Sequence, residues 1–205
     1  MKRTKIKAVL DMAASPGEVF VQGWVRTKRD AKDFSFIELN DGSCLANIQV
    51  IAGNGLAEYD QVEKLTTGSA AGVTGQLTAS PGKGQKWEIQ ATAVDVISIA
   101  PETYPLQKKR HTDEFLRSIA HLRPRTNKYG AAFRIRSRMA QAIHTFYLDK
   151  GFHYLHSPLI TGSDCEGAGE MFRVTALDPA DVQKQGKMDF SRDFIGQEAN
   201  LTVSG

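Results

Sequence analysis

The chain has 205 residues, 41% hydrophobic and 24% charged, the balance of a soluble globular protein of one or two domains. No apolar run approaches the roughly 18 residues of a membrane span. The basic start, Met1 to Lys7, leads only to Ala8, Val9 and Leu10 before Asp11, too short a core for a signal peptide. Cys44 and Cys165 lie far apart and lack the spacing of a zinc site, so both read as reduced thiols of a cytoplasmic protein. The net charge of +3 conceals an asymmetry: ten of the 26 Lys/Arg fall within residues 101–138, against three acids. Such a cluster attracts phosphate backbones, although taken alone it reads as a solvated linker and helix face.

The first hundred residues alternate with a period of two, the pattern of half-buried strands. Strands are expected over Val19–Arg26, Phe34–Leu39 and Cys44–Ile51, the last two joined through Asn40, Asp41, Gly42 and Ser43. Leu56, Tyr59, Val62 and Leu65 then follow at helical spacing. Two further strands, Ser69–Leu77 and Lys86–Ile99, flank a loop of Ser80, Pro81, Gly82, Lys83 and Gly84. Three strands, a helix and two strands is the order of an OB-fold, a small β-barrel used for oligonucleotides.

Pro101 and Pro105 mark a boundary, and a basic segment runs to Pro124. One long amphipathic helix follows, with Ile135, Met139, Ala142, Ile143 and Phe146 as its apolar stripe and Gly151 to stop it. Phe152–Ile160 reads as a strand with Pro158 near an edge, and Ala199–Val203 as another, with loop between Phe172 and Ala199. The organisation expected is a barrel over 1–102, a hinge over 103–125 and a second, α+β domain from 126 to 205.

Alternation sorts the barrel side chains into two sets. Val19, Val21, Val25, Ile37, Leu39, Ala46, Ile48, Val50, Trp87, Ile89, Ala91 and Ala93 form the core set. The other set mixes aromatics, amides and charges: Gln22, Trp24, Arg26, Phe34, Phe36, Glu38, Asn47, Gln49, Glu88 and Gln90. Aromatics stack on unpaired bases, amides and carboxylates read base edges, and arginines hold phosphate. Trp24 is expected to belong to the core or to close a barrel end, as indoles generally do. Phe36, level with Gln49, is the expected stacking ring. The loop Thr27-Lys28-Arg29-Asp30 adds positive charge beside it.

Several stretches resemble one family. Gly23-Trp24-Val25-Arg26 through Arg29-Asp30, Phe34-Ser35-Phe36-Ile37 and Asn47-Ile48-Gln49-Val50 are similar to the anticodon-binding barrel of the aspartyl, asparaginyl and lysyl synthetases. His121-Leu122-Arg123-Pro124-Arg125 is similar to their entry into the catalytic domain, and Ser157-Pro158-Leu159-Ile160-Thr161 resembles class II motif 1. Ser163 to Phe172, with Cys165-Glu166-Gly167-Ala168-Gly169-Glu170-Met171 inside it, resembles the asparaginyl form, as does Ala199 to Gly205. The resemblance covers nearly the whole chain. It implies an OB-fold followed by an incomplete class II catalytic domain.

The resemblance also implies roles. Phe36 would stack on the middle anticodon base, a uracil, with Gln49 bonding it, while Glu88 or Gln90 reads the first base and Arg26 and Arg29 hold phosphates. Glu166 would meet the amino acid's ammonium group, which needs a charged acceptor once desolvated; on the residues alone it is an exposed loop acid. Ser204 would floor the amino-acid pocket, and Pro158 with the helix before it would form a homodimer interface. The parent would attach asparagine to tRNA(Asn) using ATP and Mg2+. The chain stops at Gly205 before any match to motifs 2 and 3, so by itself it is expected to grip tRNA without activating an amino acid. A non-catalytic tRNA-binding paralogue and an aspartyl relative remain the alternatives.

Overall fold

A computed structural model describes residues 2–164, 167, 171–178, 180, 186 and 188–202. They form two compact units, Met1–Ala140 and Gln141–Gly205. The first holds a short helix α1 (Ile6–Leu10), strands β1 (Glu18–Asp30), β2 (Phe34–Asn40) and β3 (Ile48–Gly53), helix α2 (Tyr59–Glu63), strands β4 (Ala70–Ala79) and β5 (Trp87–Ser98), and helix α3 (Asp113–Ser118). A 3-10 turn, Arg123–Arg125, then leads into helix α4 (Asn127–Asp149).

The five strands close a barrel in the order β1-β2-β3-β5-β4. All neighbours are antiparallel except β3 and β5, which pair in parallel. This is the OB-fold that the strand order implied. Alternation in β2 is uninterrupted: Ser35, Ile37 and Leu39 are buried and Phe34, Phe36, Glu38 and Asn40 are not. Val21, Val25, Ile37, Leu39, Ile48, Val50, Val73 and Ile89 fill the interior, each fully removed from water. Burial of such side chains contributes about 1.5–3 kcal/mol apiece. Ile6 and Val9 of α1 and Val62 of α2 join the same core.

The helix α1 went unnoticed in the sequence, because five residues carry too little periodicity. Its first turn is held from outside. Asp41 in the β2–β3 turn accepts the Ile6 amide at 3.1 Å, and Ser43 Oγ accepts the Lys7 amide at 2.9 Å. That turn is therefore an anchor, and it explains why Ala46 is not core. Residues 41–47 precede the strand, which starts at Ile48, and Asn40 Nδ2 donates to the carbonyls of Cys44 and Ala46. The Gly42 carbonyl also accepts Arg134 Nη2 from α4, at 2.6 Å.

Ala93 departs from the core set for a different reason. The β4–β5 register shifts between Thr74 and Gly75, which face Ala93 and Ala91, so Thr92 is an extra residue. The bulge inverts the alternation: Ala93 is exposed and Val94 is buried. Gly75 allows the close approach there, since a Cβ on it would lie 2.2 Å from the Gln90 carbonyl oxygen.

Helix α4 ends at Asp149, and Gly151 follows with φ +86°, the left-handed stop expected. Its stripe of Ile135, Met139, Ile143 and Phe146 is exposed among the described residues. In the second unit β6 (Ile160–Thr161), β8 (Ala199–Leu201) and β7 (Arg173–Val174) form an antiparallel sheet in the order β6-β8-β7. The strand expected over Phe152–Ile160 is confined to its end. Only Ile160 and Thr161 find partners on β8, and Pro158, exposed in the irregular stretch before them, has no amide to donate. The short β7 falls where a loop was expected. No helix among the described residues is long and apolar enough to cross a membrane.

Candidate nucleic-acid interface

The pairing registers lay the outward residues of the barrel in two rows. Across β1, β2, β3, β5 and β4, one row is Thr27, Glu38, Gln49, Glu88 and Thr78. The next is Arg29, Phe36, Ile51, Gln90 and Gln76. Five of the six barrel residues expected to touch RNA, namely Arg29, Phe36, Gln49, Glu88 and Gln90, thus share one side of the sheet, although Glu88 is itself buried there. Gln49 is level with Glu38 and Glu88. Phe36 stands opposite Ile51, so Gln49 is its diagonal neighbour and not directly level with it, at the spacing of about 7–8 Å usual for such pairs.

Phe36 is half-buried, with an edge packed on Phe34 at 4.9 Å between centroids. The Arg29 guanidinium lies 4.8 Å from its ring centre. The cation stands over the ring, so the two form one apolar and positive surface, of the kind that takes a base and its phosphate. Ile51, opposite Phe36, adds an apolar neighbour outside both sets of side chains expected from the sequence. Its parity with Gln49 was the available signal.

Around Glu88 the polar groups interlock. One carboxylate oxygen accepts Gln49 Nε2 at 3.2 Å and Ser80 Oγ at 2.9 Å; the other accepts Gln90 Nε2 at 3.0 Å. Glu88 is only 3% exposed, and this convergence of donors compensates its burial. Asn47 Nδ2 likewise donates to Glu38 Oε2 at 3.0 Å. The amides are therefore oriented before any ligand arrives, with Ser80 from the glycine-rich β4–β5 loop as a participant that sequence reasoning missed.

Three basic or aromatic positions differ from expectation. Thr27 to Asp30 belong to β1 and not to a loop, and Lys28 turns away from the rows. Its side chain is 8% exposed and its Nζ donates to the Glu63 carbonyl at 2.7 Å. Asp30 beside it accepts Ser35 Oγ at 2.6 Å, a bond that holds its carboxyl below the usual range. Arg26 sits at the β-bulge between Val25 and Thr27 and donates to the Arg125 carbonyl. Trp24 is 39% exposed instead of core, because strand parity sets it opposite Val21 and Val25; the Arg125 guanidinium covers its ring at 4.4 Å.

A groove of about 1020 Å³ adjoins the rows. Trp24, Arg26, Glu38 and Asn47 line its barrel side, and Tyr104, Lys108, Lys109, Arg110, Arg125 and Lys128 its linker side. Lys128 is paired with Asp113 at 2.6 Å, which lowers the Asp113 carboxyl and raises the Lys128 ammonium. Glu166 and Ser204 lie outside the described residues. Among the described residues no group of three or more His, Cys, Asp or Glu could hold a metal ion.

Comparison with known proteins agrees with this geometry. Residues 19–97 match the family model of the OB-fold nucleic acid binding domain, and residues 112–185 that of the class II tRNA synthetases of the D, K and N group. The chain is 58% identical over 208 residues to an asparagine--tRNA ligase of Nitratidesulfovibrio vulgaris strain DP4 and 56% identical to one of Oleidesulfovibrio alaskensis. All of this chain is covered in both cases, and it spans 45% of the length of either relative. Asparaginyl-tRNA synthetase of Pyrococcus horikoshii, solved with asparaginyl-adenylate, shares the fold at a TM-score of 0.76 and 21% identity, covering 100% of this chain and 43% of that one. The Entamoeba histolytica enzyme does so at 0.74 and 22%, with the same coverage. With its barrel and its synthetase segment matched, and its own full length aligned to these relatives, the chain belongs to the asparaginyl-tRNA synthetase family.

Proposed function

We propose that the barrel reads the anticodon loop of tRNA(Asn), and that the whole protein joins asparagine to that tRNA at the expense of ATP, with Mg2+, as a cytoplasmic homodimer. The observation that carries the first part is the joint placement of Phe36, Arg29 and the Gln49–Glu88–Gln90 network on one face. A middle uracil stacks on Phe36 and bonds Gln49. Glu88 or Gln90 helps read the first base, and Arg29 and Arg26 take loop phosphates. The relatives' names support the ligase part.

Functionally the chain divides into the reader, 1–102, the hinge, 103–125, and the synthetase portion, 126–205. Glu166 receives the ammonium of asparagine, Ser204 lies beneath it, and Pro158 lies at the dimer contact. ATP and Mg2+ are assigned to no residue of this chain. Ligation of this kind works by positioning and charge stabilisation, with no covalent protein nucleophile.

The test is binding of an anticodon stem-loop RNA to the 205-residue chain and to Phe36→Ala. A stacked base contributes about 1–3 kcal/mol, so the variant should bind roughly tenfold or more weakly. Its melting temperature should fall by only a few degrees, because the ring is half-buried on the outer face. Normal binding together with early unfolding would make Phe36 a packing residue and remove the reading.

A further inference from the structure

Arg125 is 99 residues from Arg26 in sequence, yet β1 holds it from two sides. The Trp24 ring lies under its guanidinium at 4.4 Å, and Arg26 donates to its carbonyl. A third contact comes from the linker itself: Arg125 Nη1 donates to the Tyr104 hydroxyl at 3.2 Å. Tyr104 in turn lies against Gly68, where a Cβ would meet its ring at 2.7 Å, and the Gly68 amide donates to the Val25 carbonyl at 2.8 Å. Val25 stands between Trp24 and Arg26, so the contacts form a closed loop around one point of β1.

Trp24, Arg26, Gly68, Tyr104 and Arg125 all line the groove that Glu38 and Asn47 also line, at the margin of the reading rows. Arg125 ends the 3-10 turn, and α4 begins two residues later at Asn127. Arg26 spends one N–H on the linker carbonyl, and a guanidinium carries five, so the same group can meet a phosphate. Among the described residues, the Trp24 ring has no other ring or cation contact and the Arg26 side chain no other hydrogen bond. The β-bulge at Arg26 turns its side chain toward the linker.

We propose that Arg125 is a positioning residue: clasped by Trp24 and Arg26, it fastens the linker to the margin of the RNA-reading face, so that RNA bound there and the linker hold each other. The RNA half of this inference rests on the reading of the barrel as an anticodon-loop binder. The clasp itself does not.

The clasp is measured first without RNA, on the 205-residue chain. Trp24 is one of two tryptophans. Arg125→Ala should uncover its ring and red-shift the emission, and should leave the emission unchanged in a Trp24→Phe background. Trypsin cleavage after the exposed Lys108, Lys109 and Arg110 should accelerate by roughly tenfold in Arg26→Ala and Trp24→Ala, which lose one hydrogen bond and one cation–π contact respectively, and by at least as much in Arg125→Ala, which loses the cation–π contact and the bond to Tyr104. Trp24→Phe, which keeps an aromatic face, should restore most of the protection that Trp24→Ala loses. Unchanged emission and cleavage would overturn the clasp.

Anticodon stem-loop RNA is then added. It should slow cleavage at those three sites several-fold in the wild-type chain. In Arg125→Ala the slowing should all but vanish, although the RNA still binds through Phe36 and Arg29. Equal protection in both would mean that RNA only shields the linker, and would overturn the coupling. If the wild-type chain binds no RNA, the anticodon-loop reading fails and the coupling with it, while emission and basal cleavage still decide the clasp.

Discussion

Replacing Glu88 with alanine should damage the barrel and its discrimination between bases together. Three donors, from Gln49, Ser80 and Gln90, converge on its carboxylate at 2.9–3.2 Å. A hydrogen bond to a charged group contributes about 1.5–3 kcal/mol net. Gln49 and Gln90 are half-buried and recover much of this from water, so the total loss is about 2–3 kcal/mol. In a domain of this size each kcal/mol lowers the melting temperature by about 4–8 °C, which gives a fall of roughly 10 °C or more. Glu88→Gln keeps the shape. Its carbonyl can still accept from Gln49 and Ser80 while its amide turns to Gln90, whose own amide can flip, for a loss of about 1 kcal/mol. Gln49 freed from its partner no longer points one way. Preference for a uracil over a cytosine at the middle position should therefore shrink in Glu88→Ala more than overall affinity does. Thermal unfolding by circular dichroism and anisotropy with the two stem-loops measure both. Melting within about 2 °C of wild type and unchanged base preference would refute the network's role.

Arg29→Ala should weaken binding to every RNA and reduce the salt slope by about one unit, measured by titration at several salt concentrations. Gly75→Ala should cost about 3 kcal/mol or more and be visible as a loss of over roughly 10 °C in melting, because its Cβ would fall 2.2 Å from a β5 carbonyl. Asp41 tests the N-terminal anchor through pH. Desolvation pushes its carboxyl up, but bonds from Ser43 and Ile6 and the charge of Arg3 outweigh this, so it sits below the usual range. A carboxyl lowered on folding stabilises above its unfolded value, about 3.9, and loses that contribution as pH falls through the folded one. Asp41→Ala should thus melt lower than wild type by a constant margin from about pH 7 to 5, and the margin should close below about pH 4.

Much of the barrel was legible because its strands obey strict alternation. Ser35-Phe36-Ile37-Glu38-Leu39 declares both of its faces without ambiguity, and with them the placement of Phe36 outward. Ala93 was not legible, because a bulge at Thr92 depends on the geometry of β4 opposite it and leaves no mark on β5 alone. Ala46 was misplaced since the turn before β3 is held by Asn40 through backbone carbonyls, which carry no side-chain signature. Lys28 reads as surface charge, whereas its stem runs along the core side to a helix-end carbonyl. The Trp24–Arg125 contact joins residues a hundred positions apart, and neither residue type predicts the other.

The barrel's closure also constrains how the chain is made. β1 is completed only by β4, whose first residue follows it by some forty positions, and β5 supplies both the partner of β4 and the parallel partner of β3. A nascent chain ending before Ser98 therefore exposes open strand edges, the ready templates for pairing with other chains. The five residues of α1 cannot hold a helical turn unaided, so the first segment to leave the ribosome waits for Asp41 before it docks. Once β5 has emerged, the barrel can close in one step. Counted from the addition of Ser98, at about 5–20 residues per second, the ribosome needs roughly 5–20 s to add the residues through Gly205. The barrel face that bears Phe36 is thus finished well before the synthetase segment, and the time during which its edges lie open is set by how late β5 comes in the sequence.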